Sequence, residues 1–407
     1  MEWSPQQDQA LLHVQRWLRD ADKQIFRLFG FAGTGKTTLA KYFAEHVDGD
    51  VLFGAYTGKA ALVLRKMGCT NASTIHSMIY NPREKSLLRL QQLEDQLTEL
   101  RAQKKHDSLE AHELDREIKK ERKFLSSPNF EYNEQSEVSK ASLVIIDECS
   151  MVDDEVGADL LSFRVPVLVI GDPFQLPPVK KRSSTVGFFT NVQNPDVMLT
   201  EIHRQALDNP IIQLSKMIRE EKICPPVGKY GESRIVSSST LGISEFIEAD
   251  QVLVGTNKTR VRCNNIMRKE LGFTDPYPER KDKLVCLHNN YDRKIFNGEL
   301  FTVKEFCYVN EHNSLLDMSD PESNRDIKGL SVHNAPFVDP SYNLTYQEKR
   351  RAQEMTYGYA LTVHKSQGSQ WNNVIISNES AAFRESRLNW LYTAVTRAVE
   401  KVTVVQV

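Results

Sequence analysis

Apolar positions in the first half of the chain gather into three runs, "IFRLFGFAG" (25–33), "ASLVIIDE" (141–148) and "VPVLVIGD" (165–172). Runs of this kind, without polar alternation, describe strands buried on both faces, and each ends at a glycine or an acid where a loop begins. Helix-patterned segments lie between them, so residues up to about 200 read as a doubly wound α/β unit with its chemistry at the carboxyl ends of the strands. A second set starts near Ile211: "DQVLVGTN", "ALTVHKSQG", "NNVIIS" and the final "KVTVVQV" predict another α/β unit. It is interrupted from 276 to 354 by strand-like stretches, "DKLVCLHNN", "NGELFTVKEFCYV" and "IKGLSVHNAPFV", which predict a small β-rich insert.

Residues 83–123 follow a different rhythm. Leu90, Leu93, Leu97 and Leu100 recur at helical spacing, and Leu109, Leu114 and Ile118 continue the pattern more weakly among mixed charges. His106, Asp107 and Ser108 sit where an antiparallel helical hairpin would turn. A solvated protrusion fits this composition as well as an arm with a function.

The bulk numbers narrow the class. A chain of 407 residues exceeds one ordinary core, and 26% charged with 40% apolar residues describes a globular protein. The six cysteines are scattered without a C-x-x-C pair, which suits a reducing compartment and argues against a zinc site. No run approaches bilayer length and the N-terminus lacks a signal pattern, so a cytoplasmic protein without membrane contact is expected. A net charge of -2 gives no global pull toward nucleic acid, so a polyanion site has to be a local basic patch.

Candidate chemistry sits where the strands end. Gly30, Gly35, Lys36 and Thr37 fill G-x-x-x-x-G-K-[ST] between a strand and a helix. In that setting the N–H groups of the loop, from Gly33 and Thr34 through Thr38, cradle phosphates. Lys36 supplies a point charge and Thr37 a hydroxyl for Mg²⁺. Asp147 and Glu148 close the next run, placed to hold Mg²⁺ and to orient or deprotonate the attacking water. Gln175 in "IGDPFQLPPV" is a neutral group suited to sensing a γ-phosphate or positioning water, though its three prolines equally describe a plain turn.

The order of these motifs resembles that of superfamily 1 DNA helicases of the RecD and phage Dda type, the branch that moves 5′ to 3′ on single-stranded DNA. The resemblance covers both α/β units. It implies two RecA-like motor domains in tandem, 1–79 with 139–203 and 204–275 with 355–407. A helical insertion would occupy 80–138 and an SH3-like insertion 276–354. It implies ATP and Mg²⁺ as cofactors and single-stranded and forked DNA as partners. A replication or recombination protein is a further candidate partner, through 80–138. A monomer in a bacterial or phage-infected cell is expected.

Residue by residue, Gln7 matches the adenine-reading glutamine, with Gln6 or Gln9 as other registers. "AYTGKAALVLR" is similar to a DNA-touching motif and implies Thr57 and Lys59, with Tyr56 replacing the usual proline. "ASTIHSMI" implies Thr74 and His76. Arg204 in "LTEIHRQ" matches the arginine that reaches the γ-phosphate, and Arg397 in "LYTAVTRAVEKV" matches the arginine finger. "ALTVHKSQGSQW" implies Thr362, His364 and Lys365 on DNA and Gln367 and Gly368 near the nucleotide. Gln370 stands where the family has Glu. Asn257, with the basic cluster of Lys258, Arg260 and Arg262, completes the DNA candidates.

The family splits its fork with a β-hairpin pin in the interval that here holds the charged helices. The helices, or the aromatic "NFEYN" after them, are therefore expected to form a wedge or a docking arm. Deleting Arg83 to Lys123 should then remove unwinding or partner binding and leave DNA-stimulated hydrolysis. The other readings are an ATPase that remodels nucleic acid without separating strands, an ATP-regulated clamp loader and an RNA-directed relative.

Overall fold

A computed structural model of the protein describes residues 3–82, 88–102, 109–126, 130–177, 188–190, 195–201, 209–290, 292–323, 325–342, 344 and 346–406. They form two compact units, one of residues 1–75 with 141–407 and one of residues 76–140.

The chain opens with α1 (Pro5–Asp20), β1 (Ile25–Gly30), α2 (Lys36–Glu45), β2 (Val51–Ala55), α3 (Gly58–Lys66) and β3 (Ser73–Thr74). α4 (Ile75–Ile79) begins at the boundary, and the smaller unit continues with β4 (Tyr80–Pro82), α5 (Leu88–Ala102), α6 (Leu109–Ser126) and β5 (Phe130–Tyr132). The first sheet resumes with β6 (Leu143–Asp147), α7 (Asp154–Ser162), β7 (Val167–Gly171) and β8 (Val197–Leu199). Its six strands run parallel in the order β3-β2-β6-β7-β1-β8. The apolar runs are its central strands: Leu143 to Ile146 and Val167 to Ile170 are fully buried. Because β6, β7 and β1 are neighbours, the loops after them open side by side, and that places three motifs on one rim.

Then come α8 (Pro210–Lys216), β9 (Gly228–Tyr230), β10 (Ser233–Ser237), α9 (Ile243–Glu248), β11 (Gln251–Val254) and α10 (Asn257–Glu270). The insert holds β12 (Lys283–Cys286), β13 (Leu300–Tyr308), β14 (Asn313–Asp320), β15 (Arg325–His333), α11 (Ala335–Val338), α12 (Tyr346–Arg351) and β16 (Met355–Tyr357). The chain closes with β17 (Ala360–Thr362), β18 (Trp371–Asn378), α13 (Arg387–Val395) and β19 (Ala398–Gln406). The second sheet has the order β17-β11-β18-β19-β10-β9, parallel except for the β9–β10 hairpin. The insert is an antiparallel sheet, β15-β14-β13-β12-β16, and it reaches past residue 354 because β16 pairs with β12. Phe301, Leu316 and Met355 of the insert share one core with Val252, Ala360 and Ile375 of the second sheet, so this module is welded to its neighbour.

In the smaller unit α5 and α6 close on Leu93, Leu97, Ala111 and Ile118, three of them leucine or isoleucine positions that the helical spacing singles out. His106, Asp107 and Ser108, the expected turn, lie outside the described residues. The interval holds more than helices: β4 and β5 form a short antiparallel ribbon with Asn81 opposite Glu131. Three-residue strands are too short to show a period of two, which is why sequence periodicity passed over them. Among the described residues no helix is long and apolar enough to cross a membrane.

Candidate nucleotide and DNA site

The first helix is fastened to the glycine-rich loop of the site. Ser4 and Gln7 form a capping box at the start of α1, each side chain accepting the other's backbone N–H. The remaining half of the Gln7 amide donates to Thr34 O at 3.1 Å, and Gln7 is 3% exposed. Gln7 thus ties α1 to the phosphate loop. The neighbouring register, Gln6, instead holds the chain after β8 through Thr200 and Glu201.

The loop from Gly30 to Thr37 has the left-handed turns its glycines permit, with φ of 80° at Gly33 and 77° at Gly35. Gly30 is needed for closeness: a Cβ there would meet Leu199 Cβ at 2.8 Å and Thr34 Oγ1 at 2.7 Å. Lys36 Nζ donates to Phe31 O at 2.8 Å, and Thr38 continues the first turn of α2. Thr37 Oγ1 donates to Asp147 Oδ2 at 3.1 Å, which joins the loop after β1 to the end of β6. Glu148 adopts a left-handed conformation, φ 51°, and its N–H donates to Asp147 Oδ1 at 2.8 Å. A non-glycine residue held there stores strain of order 1–3 kcal/mol, a recurring feature of reactive sites. Burial, with Glu148 beside it, pushes the Asp147 carboxyl up to about 6, against the opposing pull of Lys36 and Thr37.

These groups line a cavity of about 400 Å³. Its walls include Gly33, Lys36, Thr37, Asp147, Glu148 and Gln175 from the first module and Gly368, Ser369, Gln370 and Arg397 from the second. Gln175 is 7% exposed, and its Oε1 has no hydrogen-bond partner among the described residues, so it presents an unspent acceptor in the pocket. Arg397, at the end of α13, is 3% exposed and donates to Thr393 O at 3.1 Å and Ser369 O at 3.4 Å. Arg204 lies outside the described residues.

Several residues here escaped the motif reading. Asp172 is fully buried between Lys36 and Tyr392, whose hydroxyl donates to Asp172 Oδ2 at 2.5 Å and accepts the Ala32 N–H at 3.3 Å. Burial raises the Asp172 carboxyl, while Lys36 and Tyr392 oppose that rise. From α13, Asn389 donates to Phe174 O and Thr393 Oγ1 accepts the Leu176 N–H, so the loop carrying Gln175 hangs on this helix. Gln367, which the resemblance places near the nucleotide, donates to Leu176 O at 3.1 Å and secures the same loop. Arg219, in a π-turn after α8, stacks 3.4 Å over the Phe31 ring. Asp172 and Tyr392 lay inside quoted motifs and carried a usable signal; Arg219 carried none.

The DNA candidates fall at two strand ends. In the first module Thr57 caps α3 by accepting the Ala60 N–H, Lys59 is 5% exposed and Thr74 4% exposed. His76 belongs to the smaller unit, 5.7 Å from the Tyr80 ring and 6.3 Å from that of Phe130. In the second module β11 and β17 are adjacent, so Asn257 and the run Thr362, His364, Lys365 emerge together. Asn264 pins α10 to this edge by bonding both the N–H and the C=O of Ala360. Arg260, 8% exposed, donates to Asn257 Oδ1, whereas Lys258 and Arg262 are exposed on α10. Burial, reinforced by Arg260, lowers the Lys365 ammonium to about 8, and burial lowers His364 as well.

The AAA-domain family profile matches residues 3–240, and that of the UvrD-like helicase C-terminal domain matches 357–405. The ATP-dependent RecD2 DNA helicase of Deinococcus radiodurans is 27% identical over 400 residues, 94% of this chain and 47% of that one. The ATP-dependent DNA helicase Dda of Enterobacteria phage T4 is 27% identical over 270 residues, 60% of this chain and 52% of its own. The chain therefore spans about half the length of these curated relatives. Among solved structures, a Pif1 helicase studied for unwinding at forked DNA aligns with a TM-score of 0.55 at 19% identity, covering 99% of this chain and 92% of its own. Pif1 of Candida albicans gives 0.53 at 19% identity, covering 100% and 95%. At that identity the likeness shows the fold, a parallel-sheet α/β helicase core. With the family profile spanning residues 3–240, the chain belongs to the AAA-domain family; it is similar in sequence to RecD2 and Dda and in fold to Pif1.

Proposed function

We propose that the chain is an ATP-dependent motor that moves 5′ to 3′ on single-stranded DNA and unwinds duplex ahead of it. The observation that carries this reading is the make-up of the cavity. Lys36, Thr37, Asp147, Glu148 and an unspent Gln175 come from one module, and Arg397 comes from the other. A pocket completed by two modules responds to their relative position, and that makes nucleotide chemistry a source of movement.

The donor set fits ATP with Mg²⁺. A hydroxyl and a carboxylate already 3.1 Å apart are hard oxygen ligands of the kind Mg²⁺ takes alongside phosphate. In this reading Thr37 and Asp147 hold the metal, and Gly33 to Thr38 cradle the phosphates. Glu148 orients and deprotonates water, and Gln175, Arg204 and Arg397 face the γ-phosphate. Gln7 and Gln370 border the base and ribose. Bound ATP supplies the phosphoryl group, and Mg²⁺ screens its charge. Thr57, Lys59, Thr74, His76, Asn257, Thr362, His364 and Lys365 form the track. RecD2 and Dda are named ATP-dependent DNA helicases, which supports DNA as the substrate. The aromatic ribbon of the smaller unit is the proposed wedge and its helices the proposed seat for a replication or recombination protein.

Forks carrying a 5′ or a 3′ single-stranded tail, beside matched RNA and with Lys36→Ala as control, test the reading. Unwinding should require the 5′ DNA tail and ATP. Unwinding only from a 3′ tail, or hydrolysis without any displaced strand, would defeat it.

A further inference from the structure

One wall of the cavity belongs to no motif. Glu322 lies in the turn between β14 and β15, and its carboxylate reaches α3: Oε1 stands 3.4 Å from Lys59 Nζ and Oε2 stands 3.0 Å from Lys66 Nζ. The turn is built in advance. The Glu322 N–H donates to Asp320 Oδ1 at 2.8 Å, Ser323 Oγ bonds the other Asp320 oxygen, and Asp320 is 5% exposed. A second loop of the insert lies on the first turn of the same helix, where a Cβ on Gly58 would meet Phe296 at 2.8 Å and Asn289 at 2.9 Å.

The exposures are unequal in a telling way. The Lys59 side chain is 6% exposed, whereas that of Glu322 is 45% exposed. The lysine is therefore the fixed, enclosed partner and the glutamate the one free to leave. An ammonium this enclosed needs an anion, because stripping its partner without replacement leaves a buried charge at a cost of several kcal/mol. Lys59 and Lys66 lie seven residues apart, two turns along one helix face, and converge on two oxygens of a single anion. A phosphate presents the same pair of oxygens to the same pair of donors.

We propose that Lys59 and Lys66 form a phosphate seat that the Glu322 carboxylate occupies until a phosphate displaces it. The phosphate comes from the DNA backbone or from the nucleotide in the adjoining cavity. The motif position of Lys59 assigns it to DNA, and that assignment rests on the DNA track proposed above. Exchange of one anion for another keeps Lys59 paired throughout, and it frees the β14–β15 turn from α3 when DNA arrives. Affinity for DNA in the wild-type chain is then set partly by competition with a residue of its own insert.

Fluorescence anisotropy on the full chain, with labelled oligothymidylate of about 20 nucleotides and separately with a fluorescent ADP, reads both sources. Glu322→Gln keeps the size of the side chain and removes its charge. The oligothymidylate Kd should fall about 10-fold, and its log–log salt slope should steepen by about 0.7 for each additional phosphate neutralised. ADP affinity should stay within about two-fold, as expected where no phosphate charge interaction changes. Adding Lys59→Ala or Lys66→Ala to Glu322→Gln should erase the gain. If the wild-type chain binds oligothymidylate and Glu322→Gln binds it no better, the seat is wrong and the helicase reading stands. A gain confined to ADP overturns the assignment to DNA. No binding of oligothymidylate by any variant defeats the track and the seat together.

Discussion

At the scale of single residues, two displaced ionisations make the site testable. The folded chain holds a proton on Asp147 up to about pH 6, whereas an unfolded aspartate releases it near 4. Stability from this group is therefore intact below the unfolded value. It is lost as pH rises toward 6 and stays lost above. Asp147→Asn should abolish hydrolysis yet stabilise the Mg²⁺-free protein at pH 8 by about 1–2 kcal/mol, after discounting for the partial exposure of the carboxylate. That gain should vanish at pH 4, and thermal melts in chelator at the two pH values check it. Lys365 moves the other way, its ammonium lowered to about 8 by burial and Arg260. The free protein sheds this charge above pH 8, and on the proposed track a DNA phosphate would have to restore it. Affinity for single strands should therefore weaken between pH 8 and 10. Lys365→Arg, which remains charged throughout, should flatten the profile in a binding titration. A wild-type profile that is already flat would remove Lys365 from the track.

At the scale of elements, α13 does more than carry Arg397. Its Tyr392 hydroxyl joins the Ala32 N–H to the Asp172 carboxylate, while Asn389 and Thr393 hold the Gln175 loop. Tyr392→Phe keeps the ring, which packs edge-on against Phe174 at 5.2 Å, and leaves a buried carboxylate short of a donor. A charge-assisted hydrogen bond of about 1.5–3 kcal/mol predicts a kcat for hydrolysis lower by about 10- to 100-fold, with the KM for ATP changed by less than about three-fold. Asp172 also accepts the Phe174 N–H and faces Lys36, so Asp172→Asn in the same background should add a further loss smaller than its effect alone, and a double-mutant cycle measures the shared part. The sequence exposed what is continuous or spaced by rule. β6 and β7 were legible as unbroken apolar runs, and Lys36 and Asp147 by their place after a strand. Tyr392 stood inside a quoted motif, but its role there depends on partners at residues 32 and 172 that only the fold brings to it. Glu322 was illegible, since a turn in an antiparallel insert carries no record of the helix it will touch. Gln7 was legible as a special residue, yet its amide serves the capping box and Thr34.

At the scale of the molecule, the proposed unwinding raises the question of which part of the smaller unit would divide a fork. Its buried side chains Leu93, Leu97, Ala111 and Ile118 pack against one another, so the two helices close on their own core, apart from the paired strands β4 and β5. Between the helices runs a groove of about 410 Å³ with Glu99, Glu110, Glu113 and Glu117 around Leu93, Leu100 and Leu114. Four carboxylates repel a phosphate backbone, which argues against this face as a wedge. The ribbon differs: Phe130 is 47% exposed and lies 6.3 Å from the His76 ring and 6.5 Å from Tyr80, an aromatic surface on which an end base pair can stack. Replacing residues 83–129 by a two-residue Asn-Gly turn should leave a β-hairpin, because Pro82 and Phe130 already pair across the ribbon. That chain should keep DNA-stimulated hydrolysis within about two-fold and should still displace a strand. Phe130→Ala in the full chain should keep hydrolysis and lose strand displacement about 10-fold, the loss of one stacking contact of about 1–3 kcal/mol. Parallel hydrolysis and fork assays separate the two parts. A shortened chain that hydrolyses ATP on DNA but displaces nothing would assign the wedge to the helices, and the acidic groove would then have to face away from the fork.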